Sequence, residues 1–411
     1  MLSPEYLETV AEPVLDVWER FNIEAVKDIA RRITKAGGRM TATAAWQIYK
    51  LQQTGKTADQ IRRALMIYTG YSDAQMRHVF RTSLFRAYQT DLSAFIAGGI
   101  ITEAAAEQYL AAFNNNAGLL MRSQELLDLT RGELHNFTQT APEQAETAYI
   151  QACDRAFLAV RSGVYSKAQA ITDSIEQMAA LGLDVRYPSG HIDTIETAVR
   201  RAVTSGVSQA AGKLTERTCQ DMGCNTVIVS SHIGARVSED PIANHAGWQG
   251  KVYRLDTALP SAYGPTAEAL QAHGTDAGEY PGLVESTGYG TGPGLCGWNC
   301  RHSFMPFIPG VSQNNMPQYD DDENAERYRE TQQQRAMERA IRRTQRRVEA
   351  LTAALEVEGD AETAEHMKQR LTALKQRRKQ QLKAYSEYSE DHGLPEQRDR
   401  LYTARKAKAP T

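Results

Sequence analysis

The chain has 411 residues, enough for two or three domains that each bury a core. Apolar residues make up 41% and charged residues 24%, and the net charge of -3 gives no global drive towards nucleic acid or an anionic membrane. No apolar run approaches the roughly 20 residues of a membrane helix, and the acids in the opening MLSPEYLETVAEPVLDV argue against a signal-peptide start, so a cytosolic origin is expected.

Residues 1 to about 218 read as helix after helix. Ser3-Pro4-Glu5 supplies a capping hydroxyl, a proline for the first turn and an acid against the helix dipole. Val14, Trp18, Phe21, Ala25 and Ile29 recur at three and four, and Gly37-Gly38 is expected to stop that helix. Thr57-x-x-Gln60 and Ser72-x-x-Gln75 read as capping boxes that start short helices, and Thr102 caps another. Asn114-Asn115-Asn116 turns the chain ahead of helices over Leu119 to Leu134 and Ala141 to Val160. Val164, Ala168, Ile171, Ile175 and Met178 form a stripe ended by Leu181-Gly182-Leu183, and helix resumes over Ile192 to Arg217 after a turn at Tyr187-Pro188-Ser189-Gly190. The plain reading of each stripe is core packing.

The composition then shifts. Thr226 to Ser230 is a β-branched run expected as a buried strand, and Gly250 to Leu255 alternates as a half-buried one. Pro260 to Gly294 is rich in Gly, Pro and Thr and reads as loop. Phe304 to Ile308 fits an edge strand, because Pro306 has no N–H for a ladder. Asn314 to Asn324 reads as a linker. Met337, Ile341, Thr344, Val348, Leu351 and Leu355 mark one heptad seam; Met367, Leu371, Leu374, Gln381, Tyr385 and Tyr388 mark a second beyond Glu358-Gly359-Asp360. The expected architecture is therefore α+β and predominantly α-helical. It comprises an N-terminal helical domain (1–218), a small central α+β domain with long Gly/Pro loops (219–312), a linker (313–324), and a C-terminal antiparallel helical hairpin with its tail (325–411).

Three constellations carry chemistry. The first is ionisable: His232, His245, Cys296, Cys300 and His302 share the central domain. The Cys-x-x-x-Cys-x-His spacing of Cys296, Cys300 and His302 is compatible with zinc, although it is not a standard knuckle; buried, hydrogen-bonded imidazoles and inert thiols are the plainer reading. The second is catalytic. A Cys with a His oriented by Asn299 or Glu239 could attack a carbonyl, and Arg236 with Ser230 or Ser231 and Glu239 invites a nucleotide-transfer reading. No flanking signature fixes an oxyanion hole. Gly288-x-Gly290-x-Gly292 is not a dinucleotide fingerprint, since no clear strand feeds it and no clear helix follows. The third is basic. Arg335, Arg339, Arg342, Arg343, Arg346 and Arg347 crowd one hairpin arm; Lys368, Arg370, Lys375, Arg377, Arg378, Lys379 and Lys383 crowd the other. Such a surface neutralises phosphates without reading sequence, or is simply a solvated face.

SSHIGAR, HAGWQGKVYRL and GYGTGPGLCGWNCRHSFMPFIPG resemble the phage minor capsid protein type 2 family, minor head proteins of tailed bacteriophages akin to the Mu F-like head morphogenesis domain. LLDLTRGELHNFTQT, VRYPSGHIDTIETAVRRAVTSGVSQ and the tail ending YSEYSEDHGLPEQRDRLY extend the likeness over nearly the whole chain. One departure is Glu239 to Asn244, which stands between the Arg236 and His245 segments where the family runs more directly. The resemblance implies a structural virion component with no enzymatic activity and no cofactor. It implies a place inside the head near the portal, in contact with portal and major capsid proteins, after assembly in the host cytoplasm and with no membrane in the assembled head. A role in head assembly, DNA packaging or ejection goes with that; sequence-independent contact with packaged double-stranded DNA is the expectation that the basic hairpin adds. The residues carried over are His232, Gly234, Ala235, Arg236, His245, Gln249, Gly250, Asn299, Cys300, Arg301 and His302, expected to form a polar network that holds long loops together. The alternative is an enzyme carried in the virion, either ADP-ribosyltransferase-like or a Cys/His hydrolase.

Overall fold

The computed structural model describes residues 1–37, 43–113, 117–187, 189–255 and 280–401. In chain order the elements are α1 (Pro4–Thr9), α2 (Glu12–Gly37), α3 (Thr43–Ala97), α4 (Glu103–Ala112), α5 (Ala117–Arg161), α6 (Lys167–Leu181), β1 (Asp184–Arg186), β2 (Ile192–Thr194), α7 (Ile195–Asp221), β3 (Thr226–Val229), α8 (His245–Trp248), β4 (Val252–Arg254), α9 (Leu283–Thr287), β5 (Phe304–Pro306), α10 (Asp321–Leu355) and α11 (Ala361–Asp391). The described residues are mostly helical, with one two-stranded and one three-stranded antiparallel sheet among them. Among the described residues no helix is long and apolar enough to cross a membrane.

The local signals act as read at several ends. Ser3 Oγ accepts from the Tyr6 N–H at 3.2 Å and Thr102 Oγ1 from the Ala105 N–H at 3.2 Å. Gly182 ends α6, and Asp360 opens α11 by accepting from the Thr363 N–H at 2.8 Å. Elsewhere tertiary packing overrides the local signal. The expected helix starts at Thr57 and Ser72 both lie inside the 55-residue α3. Thr57 Oγ1 donates back to the Gln53 carbonyl at 3.0 Å, and Ser72 Oγ accepts from the Trp18 indole at 2.9 Å, so neither hydroxyl caps anything. The two helices expected after residue 118 are one, α5, with Pro142 inside it. Proline forfeits one helix hydrogen bond, but Ala141, Ala145, Tyr149 and Ala152 on the buried face keep the helix in place. Val164, expected in the α6 stripe, is 73% exposed. Ile192 to Thr194 form β2 against β1, and helix begins only at Ile195. The Asn114–Asn116 turn and most of the expected loop from Pro260 lie outside the described residues.

The chain divides into two compact units, each assembled from three stretches: 1–13, 74–133 and 200–331 in one, 14–73, 134–199 and 332–411 in the other. This interleaves what a linear division of the chain keeps apart.

In the first unit the sheet order is β4-β3-β5. β3 is central and all four of its residues are buried, as a β-branched run between two partners requires. β5 is an edge, with Pro306 opposite Val227. α7 lies close against the sheet: a Cβ at Gly212 would stand 2.7 Å from Tyr289 Oη and 3.1 Å from the Phe304 ring. Thr215 on α7 donates to buried Asp91 on α3 at 2.7 Å. The N-terminal segment is tied in where Ser303 Oγ donates to the Leu2 carbonyl at 2.6 Å.

In the second unit Trp18, Phe21, Tyr68 and Phe137 pack edge to face at 5.2 to 5.9 Å between centroids. The hairpin is present and antiparallel. Ile341 on α10 shares a buried cluster with Tyr385 and Leu401, flanked by Met337 and Leu382, and Gln334 reaches Ser389 at 3.0 Å. α11 also packs on α6, where Arg370 forks onto both oxygens of Glu176 at 2.8 and 3.0 Å.

Candidate functional site

The ionisable cluster is assembled in the first unit from three segments. His232 follows β3, His245 opens the single turn of α8, and Cys300 to His302 lead into β5. The loop before Cys300 folds back on itself: the Leu295 N–H donates to the Thr287 carbonyl at 3.0 Å and the Trp298 N–H to the Gly292 carbonyl at 2.6 Å. A Cβ at Gly294 would stand 2.3 Å from the Gly288 carbonyl oxygen, so glycine is required there for close backbone approach. Leu295 and Cys296 are fully buried, which makes this loop part of the core. Cys296 and Asn299 hold φ of 60° and 55°, left-handed values unusual for side-chain-bearing residues.

Nearly every motif residue finds a partner inside this unit. The rings of His232 and His302 stack at 4.4 Å, and the Trp248 and His245 rings meet His302 edge-on at 4.9 and 5.4 Å. Gln249 Oε1 accepts from the His232 N–H at 2.9 Å and lies 3.0 Å from His302 Nε2. His245 Nε2 is 2.8 Å from the Pro293 carbonyl. Cys300 Sγ is 3.7 Å from His302 Nδ1, whereas Cys296 Sγ faces the His302 carbonyl at 3.8 Å. Arg236 donates to the Trp298 carbonyl at 2.7 Å and the Pro293 carbonyl at 3.4 Å, pinning the glycine loop. Arg301 pairs with Glu8 at 2.5 Å. Ala235 and Asn324 exchange two bonds, at 2.9 and 3.0 Å. Gly234 and Gly250 take left-handed φ, and the Gly250 carbonyl accepts from Asn314 at 2.9 Å.

Burial controls the electrostatics. Desolvation, with help from Arg301, holds His232 down to about 3, and desolvation holds His245 down to about 4. His302 is pushed well below its ordinary value by burial and by the neighbouring imidazoles and arginines. Burial raises the Cys300 thiol, and raises that of Cys296 further. The imidazoles are therefore neutral and the thiols protonated, the opposite of an activated thiolate–imidazolium pair. Of the residues in the nucleotide-transfer reading, Ser230 Oγ accepts from the Ser303 N–H, Ser231 Oγ donates to the Pro317 carbonyl, Arg236 is committed to backbone carbonyls, and Glu239 is exposed. Among His, Cys, Asp and Glu of the described residues, the group whose ligand atoms come together is His245, Cys300 and His302, within 4.8 Å of one another. His245 stands where the spacing alone suggested Cys296.

The phage minor capsid protein 2 family matches residues 2–385. The chain belongs to that family. A structural protein of Lactococcus phage LL-H is 26% identical over 188 residues, which are 45% of this chain and 45% of that protein, so the chain spans about half of that relative's length. No solved structure matches.

Two contributors to this minor capsid protein's cluster escape sequence reading. Glu8 lies in α1, 293 positions from the arginine it pairs with, and no local pattern marks it. Asn324 sits in a segment that reads as linker, yet it is 1% exposed and bridges Ala235. The basic hairpin is only partly a surface. Arg342 is buried, paired with Glu196 at 2.6 Å and with the Arg400 carbonyl. Arg346 is buried and donates to the Ala180 and Ala179 carbonyls at the end of α6, at 3.0 and 3.3 Å. Arg339, Arg343, Lys375, Arg377 and Lys379 are exposed, while Arg335, Arg347 and Arg378 are half-buried.

Proposed function

We propose that this minor capsid protein is a non-enzymatic part of the head interior, placed near the portal, that supports head assembly and DNA packaging or ejection. In this reading the helical residues 1–218 dock on portal and major capsid proteins. The observation that carries it is the family match across residues 2–385. The polar cluster supports it: Cys300 and His302 are 0% and 1% exposed, so neither of these two side chains is open to a substrate. The relative in Lactococcus phage LL-H is a structural protein, which points the same way.

A second strand of the reading assigns the hairpin to the packaged duplex. Its specific support is that Arg339 and Arg343, and likewise Lys375 and Lys379, are exposed and four apart, hence each pair lies on one helix face. Contacts of this kind are blind to base sequence.

The test is fractionation of DNA-free proheads. The protein co-purifies with them at a copy number well below that of the major capsid protein, and gold labelling or vertex-focused reconstruction places it at the portal vertex. Absence from proheads and virions overturns the proposal. A phage carrying Cys300→Ala that assembles normally but loses a hydrolytic or transferase activity makes the enzyme reading the right one.

A further inference from the structure

We propose that His245, Cys300 and His302 form a binding site for one zinc-class divalent cation. The imidazole lone pairs decide which atoms can bind it. A carbonyl oxygen only accepts, so the 2.8 Å contact with Pro293 places the His245 proton on Nε2 and leaves the lone pair on Nδ1. Gln249 Oε1 is fixed as an acceptor because it takes the His232 N–H at 2.9 Å; His302 Nε2, 3.0 Å away, therefore carries its proton too. Both rings hold their Nδ1 as donors to a metal, and each is oriented through Nε2 by a fixed oxygen. That is the outer-shell arrangement of protein metal sites.

The spacing agrees with the chemistry. Zn–S near 2.3 Å and Zn–N near 2.0–2.1 Å at a tetrahedral angle put sulfur and nitrogen about 3.6 Å apart. Cys300 Sγ and His302 Nδ1 are 3.7 Å apart. One ligand atom from each of the three residues falls within 4.8 Å of the others, and a rotation of the His245 ring that brings Nδ1 towards Cys300 Sγ closes the site. One thiolate with two imidazoles suits zinc and other borderline ions rather than magnesium or calcium, which take oxygen. Three protein ligands leave the fourth position to a non-protein ligand. Binding releases the Cys300 thiol proton to solvent as the sulfur–metal bond forms, and nothing is oxidised or reduced. An ion here joins α8, the glycine loop and the entry to β5. Such a site forms wherever in the virion the protein sits.

The experiment uses the untagged full-length chain, purified without chelator from zinc-supplemented medium and measured by elemental analysis. The expected content is about one zinc per chain. Cys300→Ser and His245→Ala lower the retained metal at least about tenfold, while Cys296→Ser, whose sulfur faces a carbonyl, keeps it. Exchange with cobalt gives a thiolate-to-metal charge-transfer band in the wild type and in Cys296→Ser. This second readout decides the matter where Cys300→Ser fails to fold. A folded wild-type chain that holds no zinc and takes up neither zinc nor cobalt overturns the proposal, as does full metal retention by Cys300→Ser or a cobalt spectrum without the thiolate band.

Discussion

Gln249 Oε1 stands 3.0 Å from His302 Nε2 while it also accepts the backbone N–H of His232. One amide oxygen thus links the strand exit after β3 to the approach to β5, through a residue that is itself 8% exposed. Gln249→Ala strands both N–H groups in a buried site, where an unsatisfied donor costs about 1–3 kcal/mol. Chemical denaturation is expected to show a loss of that order for each group. A midpoint shift no larger than that of an exposed control such as Gln380→Ala contradicts the network.

The glycine loop offers a paired test of close approach. A Cβ at Gly294 would meet the Gly288 and Thr287 carbonyls at 2.3 and 2.5 Å, and backbone has little room to yield. Gly294→Ala is expected to destabilise at or beyond the upper end of the roughly 1–3 kcal/mol typical of overpacking. At Gly359, in the turn between α10 and α11, a Cβ meets nothing within 4 Å and φ is not left-handed. Gly359→Ala is expected to be neutral or to stabilise by about 0.4–1 kcal/mol through the unfolded chain. Thermal melts of the two variants side by side separate steric from entropic effects.

How much of this was legible before the structure depends on the range of the interaction. Ser3 and Thr102 cap as their neighbours dictate, and the β-branched Thr226–Val229 run and Pro306 announce a central and an edge strand. Thr57 and Ser72 carry the same kind of signal and mislead, because a buried hydroxyl also bonds a preceding carbonyl or a distant indole. The His and Cys residues were readable as one group. The choice of His245 over Cys296 was not, since it turns on the left-handed backbone at Cys296 and on the fold of the glycine loop. Arg342 and Arg346 look in sequence like the rest of a basic face. Only packing reveals that they are spent on Glu196 and on the last carbonyls of α6.

Asp91 gives the first unit a definite pH response. It is fully buried, desolvation pushes it up to about 6, and the Met1 amine at 3.5 Å and Thr215 Oγ1 at 2.7 Å offset only part of that. The unfolded carboxyl titrates near 3.9. Between these values the folded state binds more protons than the unfolded one, so this group adds stability as pH falls from above 6 towards 4. Asp91→Asn removes that contribution. The difference in unfolding free energy between wild type and variant is expected to change by pH across that window and to level off below it. A difference independent of pH from 7 to 4 refutes the assignment.

The hairpin separates charge that is free to meet phosphate from charge the fold already uses. Arg339, Arg343, Lys375 and Lys379 are exposed, so changing all four to Ala is expected to leave the unfolding midpoint within about 0.5 kcal/mol of wild type per site. Arg346→Ala instead strips two bonds from the end of α6 and empties a buried position, and is expected to destabilise by about 1–3 kcal/mol. On duplex DNA of random sequence the order reverses. The fourfold variant loses retention at low salt, and its log–log salt slope falls by about 0.9 for each phosphate contact removed. Arg346→Ala, measured where it is still folded, keeps the wild-type slope. Equal salt slopes for wild type and the fourfold variant would leave these side chains as a solvated face and take DNA contact away from the hairpin.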